Sequence, residues 1–99
     1  MVVIVTGPAE SDLERIADYI ATRNPVRALT FVRALRDKCE ALADAPRAYP
    51  LVPRYEHFGI RRRPYGHYLI FYRIGVGTID IVHILHGPQN YEPILFPET

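Results

Sequence analysis

The chain has 99 residues, one cysteine and a formal net charge of +1, with 12 lysines and arginines against 11 aspartates and glutamates. That length makes one domain, residues 1–99, with room for a single modest core. The near-neutral balance argues against a general polyanion binder, and a lone cysteine excludes an internal disulfide and a cysteine metal cluster. No apolar run approaches about 18 residues, so no membrane-spanning helix is expected. The Met-Val-Val-Ile-Val start lacks the basic region and cleavage site of a secretory leader, and one reduced cysteine fits the cytoplasm.

Val2 to Val5 is β-branched and reads as a first strand, ended by Thr6-Gly7-Pro8. Pro8 suits a first helical position, with Gly7 as N-cap. Glu10, Asp12 and Glu14 then complement the helix dipole, and Leu13, Ile16, Ala17 and Ile20 define one buried face of a helix over 8–22. Asn24-Pro25 is a second helix start. That helix runs to Asp44, because Pro46 forbids continuation. Ala28, Val32, Leu35, Cys39 and Leu42 form its stripe, which gives Cys39 a structural place in the core. The short link makes an antiparallel helical hairpin. Phe31, Ala34, Ala41 and Ala45 widen the apolar arc, either to pack on a sheet or to form a groove for a foreign helix.

Pro46 to Gly59 is a loop with three prolines. Ile60 to Arg63 reads as a short strand ended by Pro64. Tyr65 to Ile74 and Thr78 to His86 flank Gly75-Val76-Gly77, the pattern of an antiparallel hairpin. With Ile74 opposite Thr78, one face carries Tyr68, Ile70, Tyr72, Ile74, Val82 and Ile84. The other carries Leu69, Phe71, Ile79, Ile81 and Leu85, with Arg73 and His83 among them. Two apolar faces need two covers, since a sheet with one wet face alternates apolar with polar. After Gly87-Pro88, the residues Tyr91, Ile94, Leu95 and Phe96 form an apolar tail ending in Pro97-Glu98-Thr99. The order predicts an α+β fold: an N-terminal strand and an antiparallel helical hairpin packed on a small antiparallel β-sheet.

Two regions of opposite charge sit inside the neutral total. Five arginines and one acid lie between Arg54 and Arg73, and four acids and one base between Glu10 and Tyr19. On a strand, Arg61 and Arg63 share a face and Arg62 points away. They suit contact with phosphates or an acidic protein segment, or equally the protection of an edge strand. His57, His67, His83 and His86 show no metal-ligand spacing, so neither metal nor cofactor is expected. Tyr91 with His83, His86 and Arg73 could supply acid–base and phosphate-clamping groups for RNA cleavage.

The ordered set of Asp12-Leu13, Ile16-Ala17-Asp18-Tyr19-Ile20, Ala43-Asp44-Ala45-Pro46, Arg61, Gly66-His67-Tyr68-Leu69-Ile70-Phe71-Tyr72-Arg73-Ile74 and Ile84-Leu85-His86-Gly87 resembles the RelE/ParE toxin superfamily, the ParE branch more closely. The resemblance runs from about Val3 to Tyr91. It implies a cytoplasmic bacterial toxin of a type II toxin–antitoxin pair, a non-enzymatic inhibitor that binds DNA gyrase. A ParD-like antitoxin would neutralise it in a hetero-oligomer and would alone touch operator DNA, and no membrane is involved. The antitoxin would contact Tyr19, Phe31 and Ala34 on the helices and Arg61, Arg63, Leu69, Phe71, Arg73 and Leu85 on the sheet. Leu69, Phe71, Ile81 and Leu85 would form an outer surface covered by antitoxin or by the tail at Ile94 to Phe96, so that toxin made alone would be poorly soluble. The target-binding residues are not defined by the resemblance, with Arg61, Arg63, His83 and Tyr91 as candidates. The alternatives are a ribosome-dependent endoribonuclease of RelE type using Arg73, His86 and Tyr91, or a non-toxic module that only binds antitoxin. RelE-type nucleases carry an arginine where this chain has Leu69 and basic residues after the last strand, where it reads Gly87-Pro88-Gln89-Asn90, which favours the ParE branch. ParE sequences often read Arg-Val-Leu-His-Gly-Arg-Arg there, so His83 and Pro88-Gln89 are departures from that pattern too.

Overall fold

The computed structural model describes residues 1–97; Glu98 and Thr99, the end of the apolar tail, lie outside the described residues. The order is β1 (Val2–Val5), α1 (Gly7–Ala21), α2 (Pro25–Ala41), a 3-10 turn (Glu56–Phe58), β2 (Ile60–Tyr65), β3 (Tyr68–Ile74), β4 (Thr78–His86) and a final turn of helix, α3 (Glu92–Leu95). Among the described residues there is one sheet, in the order β1-β4-β3-β2. The last three strands are antiparallel. β1 joins them parallel to β4, which the helical hairpin permits by carrying the chain back to the same end of the sheet. The sheet is therefore mixed.

Thr6, not Gly7, caps α1. Its Oγ1 accepts from the Ala9 N–H at 3.5 Å and donates to the Ile81 carbonyl at 2.7 Å. One hydroxyl thus closes the helix end and fastens it to β4. Asn24 caps α2 as expected, its side chain accepting from the Arg27 N–H at 3.0 Å. α2 ends at Ala41 rather than Asp44, because the N–H groups of residues 42–44 bond three residues back and tighten the chain into turns before Pro46. β2 runs through Pro64 to Tyr65. It is an edge strand, where a missing N–H is tolerated.

The main core lies between the helices and one sheet face. Leu13, Ile16, Leu35 and Leu42 meet Ile70, Tyr72, Ile79, Ile81 and Ile84. Tyr72 is fully buried, with its hydroxyl donating to the Pro46 carbonyl at 2.7 Å. Burial pushes the ionisation of that phenol up.

Ile74 pairs with Ile79, not Thr78. The Gly75 N–H closes the loop onto the Thr78 carbonyl at 2.8 Å, so the connection is one residue longer than expected. A one-residue shift exchanges faces, and Ile79 and Ile81 accordingly enter the main core while Val82 leaves it. A β-bulge follows. Tyr72 pairs with Ile81 but Phe71 with His83, leaving Val82 as the extra residue. The bulge restores the expected faces of Ile84 and Leu85.

The opposite sheet face has its own cover. Val52, Ile60, Phe71, Leu85 and Phe96 form a second buried cluster, with Tyr55, Leu69, Val82, Tyr91 and Leu95 around it. Phe96 stacks on Tyr55 at 4.1 Å with ring planes 3° apart. The loop with three prolines and the tail both lie on this face. The outer surface expected to need a partner is largely covered by the chain itself.

Candidate functional site

An open apolar groove lies on the outer side of the helical hairpin. It has a volume of about 410 Å³ and is floored by Ala17, Ala21, Ala28, Leu29 and Val32. Small residues on both helices keep its floor low. Leu29 is 62% exposed and Val26, one turn earlier, 71%. Asp18 rims the α1 side, and Arg33 and Arg36 the α2 side. Arg36 is tied to Glu10, with contacts of 2.6 and 3.2 Å. That bond holds the Glu10 carboxyl below its usual range. Phe31 does not line this groove. It is buried against Tyr65 and Tyr68 of the sheet, with the Arg27 guanidinium 5.0 Å over its ring. Of the two uses open to the wide α2 arc, Phe31 serves sheet packing. Ala34 is half-buried nearby on α2.

The arginines of β2 alternate as strand geometry requires. Arg61 donates to the Tyr49 carbonyl at 2.7 Å, and Arg63 lies over the Tyr49 ring at 5.1 Å. Arg62, on the other face, donates to the Tyr91 hydroxyl at 2.6 Å. Tyr91 packs on Phe71 and borders a cleft of about 260 Å³ with Arg54, Arg62, Gln89, Asn90 and Glu92. Arg54 holds a positive φ of 72°, an uncommon backbone for a non-glycine residue.

The acid–base set of Tyr91, His83, His86 and Arg73 is not gathered. The phenol of Tyr91 meets Arg62. His86 sits at the far end of β4 beside Tyr68, their ring centroids 5.5 Å apart. Arg73 is exposed five residues further along β3, a separation of roughly 16 Å along a strand. Tyr19, 67% exposed, shares a cleft of about 270 Å³ with Tyr68 and His86. His83, expected to contact a target, is turned instead toward α1, where its Nδ1 lies 2.7 Å from Asp12.

Asp12 is the residue that sequence reasoning missed. Its carboxylate is buried and accepts from His83, from the Ile84 N–H at 2.8 Å and from Arg15. A signal existed. Asp12 lies three residues after Ala9 and four before Ile16, so helical periodicity puts it on the buried face. Read only as a dipole partner, it looked solvated.

Of the expected antitoxin contacts, Tyr19 and Arg73 are exposed, and Leu69 is half-buried. Phe71 and Leu85 lie beneath the chain's own tail, 0% and 5% exposed, and are not open to a partner while the tail stays in place. Ile81 is not on that face at all. Cys39 is buried, and desolvation pushes its thiol up to about 12, which leaves it inert near neutral pH. Among the described residues no three His, Cys, Asp or Glu side chains group as metal ligands, and no helix is long and apolar enough to cross a membrane.

A family model described as the ParE toxin of the type II toxin–antitoxin system parDE matches residues 3–91. Among solved structures, the fold is similar to one from the chromosomal ParDE system of P. aeruginosa. The two are 22% identical with a TM-score of 0.72, over 87% of this chain and 95% of that one. It is also similar to one from the RelBE2 toxin–antitoxin complex of Mycobacterium tuberculosis, 24% identical with a TM-score of 0.64, over 86% and 95%. At these identities both support the fold alone. Among curated proteins, none matches.

Proposed function

This chain belongs to the ParE toxin family of type II toxin–antitoxin systems, and from that membership we propose that it arrests growth by binding DNA gyrase and that a ParD-like antitoxin neutralises it. The groove on the helical hairpin carries the antitoxin half of this reading. It is apolar along its floor, open, and edged by Asp18 on one side and Arg33 and Arg36 on the other. An amphipathic helix with apolar residues at i, i+3/i+4 and i+7 fits such a surface. Action by binding rather than by cutting is supported by the scatter of Arg73 on β3, His86 at the far end of β4 and Tyr91 in the tail.

RNA cleavage is the second reading, and one observation favours it. Tyr91 and Arg62 meet at the edge of a polar cleft that also holds Arg54. If the chain cuts RNA, these residues rather than Arg73 and His86 would serve.

The test is expression from a tightly repressed promoter without antitoxin, following growth, the DNA-damage response and mRNA integrity together. Arrest with DNA damage and intact mRNA is the expected result. Arrest with cleaved mRNA, abolished by Tyr91→Phe, would replace this reading with the second. Absence of arrest would leave an antitoxin-binding module without a poison.

A further inference from the structure

The two edges of the sheet are treated differently. At β2, the Pro50 carbonyl accepts from the Arg62 N–H at 3.0 Å and the Val52 N–H donates to the Ile60 carbonyl at 2.9 Å. The preceding loop thereby covers that edge, and three arginines and Pro64 lie along it. At β1, nothing among the described residues lies alongside. The strand is Val-Val-Ile-Val, without charge, proline or bulge. Natural edges usually carry one of those protections or are very short, and β1 has only its four-residue length. Val2 is 65% exposed and Ile4 44%, with Met1 at 52% and the loop residue Val76 fully exposed.

The backbone of β1 has a definite parity. The Val2 N–H donates to the Gly77 carbonyl at 3.0 Å and the Thr6 N–H to the Ile81 carbonyl at 3.2 Å. In a parallel ladder alternate residues turn their groups to one neighbour, so Val2, Ile4 and Thr6 address β4. Val3 and Val5 turn their N–H and C=O groups outward. These two open residues flank Ile4 symmetrically.

We propose that β1 is a self-pairing edge, across which two copies of this chain join antiparallel into one eight-stranded sheet, with Val3 opposite the partner's Val5 and Ile4 beside its own symmetry mate. Each Val3–Val5 pair exchanges two hydrogen bonds, so the twofold contact closes four and leaves no open group on either strand. An antiparallel pair related by an axis normal to the sheet keeps each face on its own side, which sets the two exposed Ile4 side chains against one another. The contact is isologous and closes at the dimer.

The charges permit this. Ile4 is in register with Asp80, and Asp80 with Arg73. Across the joined sheet the row reads Arg73, Asp80, Ile4, then the same in reverse. The two Asp80 positions are three strand spacings apart, roughly 14 Å. That exceeds the physiological Debye length of about 8 Å, and each aspartate has an arginine as its next neighbour. A charged or proline-bearing edge such as β2 could not meet its own copy this way. The proposal does not depend on the gyrase or antitoxin reading.

Sedimentation of the full chain over a concentration series tests it, together with hydrogen exchange at single amides. The expected mass doubles with concentration, and the Val3 and Val5 amides gain protection in step, while Ile4, already bonded to β4, does not change. Ile4→Lys places two ammonium groups at the axis and is expected to keep the chain monomeric with an unchanged circular dichroism spectrum. A monomer at every concentration overturns the proposal. So does a dimer in which Val3 and Val5 stay unprotected, or one that survives Ile4→Lys. Protection of these amides only on co-expression with an antitoxin would assign the edge to that partner instead.

Discussion

At Asp12 a single buried carboxylate joins a helix to an irregularity in a strand. The bulge at Val82 interrupts the β3–β4 ladder, and the next amide donor but one, Ile84 N–H, is taken up by Asp12 together with His83. Buried donors must be paired, so the bulge and the aspartate stabilise each other. Asp12→Ala leaves the Ile84 amide and the His83 ring without their acceptor, at a cost of about 2–4 kcal/mol. For a domain of this size each kcal/mol lowers the melting temperature by about 4–8 °C. Asp12→Asn keeps one acceptor oxygen and is expected to recover part of the loss. Urea denaturation of the two variants checks this, and an Asp12→Ala midpoint equal to that of the parent would show that the bulge holds without the carboxylate. The alternation of Arg61, Arg62 and Arg63 was legible because it follows from the two-residue period of a strand. The partner of His83 was not, because a bulge leaves no mark in local composition.

Among the elements, α3 and the tail after it show how little intrinsic stability a segment needs. Four residues cannot form a lasting helix alone, since one turn fixes several dihedrals for very few hydrogen bonds. α3 persists because Leu95, Phe96 and Tyr91 pack on the second cluster, with Phe96 2% exposed and in ring contact with Tyr55 and Phe58. Phe96→Ser is expected to release this segment, at about 3 kcal/mol, and to uncover Phe71 and Leu85. Binding of a hydrophobic dye at unchanged far-ultraviolet dichroism would report it. A variant as stable as the parent that binds no dye would mean that the Pro46 to Gly59 loop covers the face unaided. The two helix starts could be read from Thr6-Gly7-Pro8 and Asn24-Pro25 to within a residue, because caps are local chemistry. The hairpin register could not, because two glycines in the loop allow more than one connection length and the choice is made by packing of Ile79 and Ile81 on the helices.

On the scale of the whole molecule, the expectation of two apolar faces was right, and the number of covers within reach was underestimated. The helices cover one face. The loop, which read as irregular surface, covers the other through Val52 and Tyr55, together with the apolar tail at Leu95 and Phe96, which had been expected only as an alternative to antitoxin. All of this converges on β4. It pairs with β1 and β3 and holds the start of α1 through Thr6, 75 residues away from Ile81. Closing so long a loop has an entropic cost that is recovered only once the final strand is in place. A product ending at Gly77 would lack the strand on which both others and α1 rest, so residues 1–77 alone are expected to be unfolded by circular dichroism and harmless when expressed. A folded or growth-arresting fragment would contradict this. In genetic terms, a stop codon directly after Gly77 is expected to silence the gene outright rather than weaken its product.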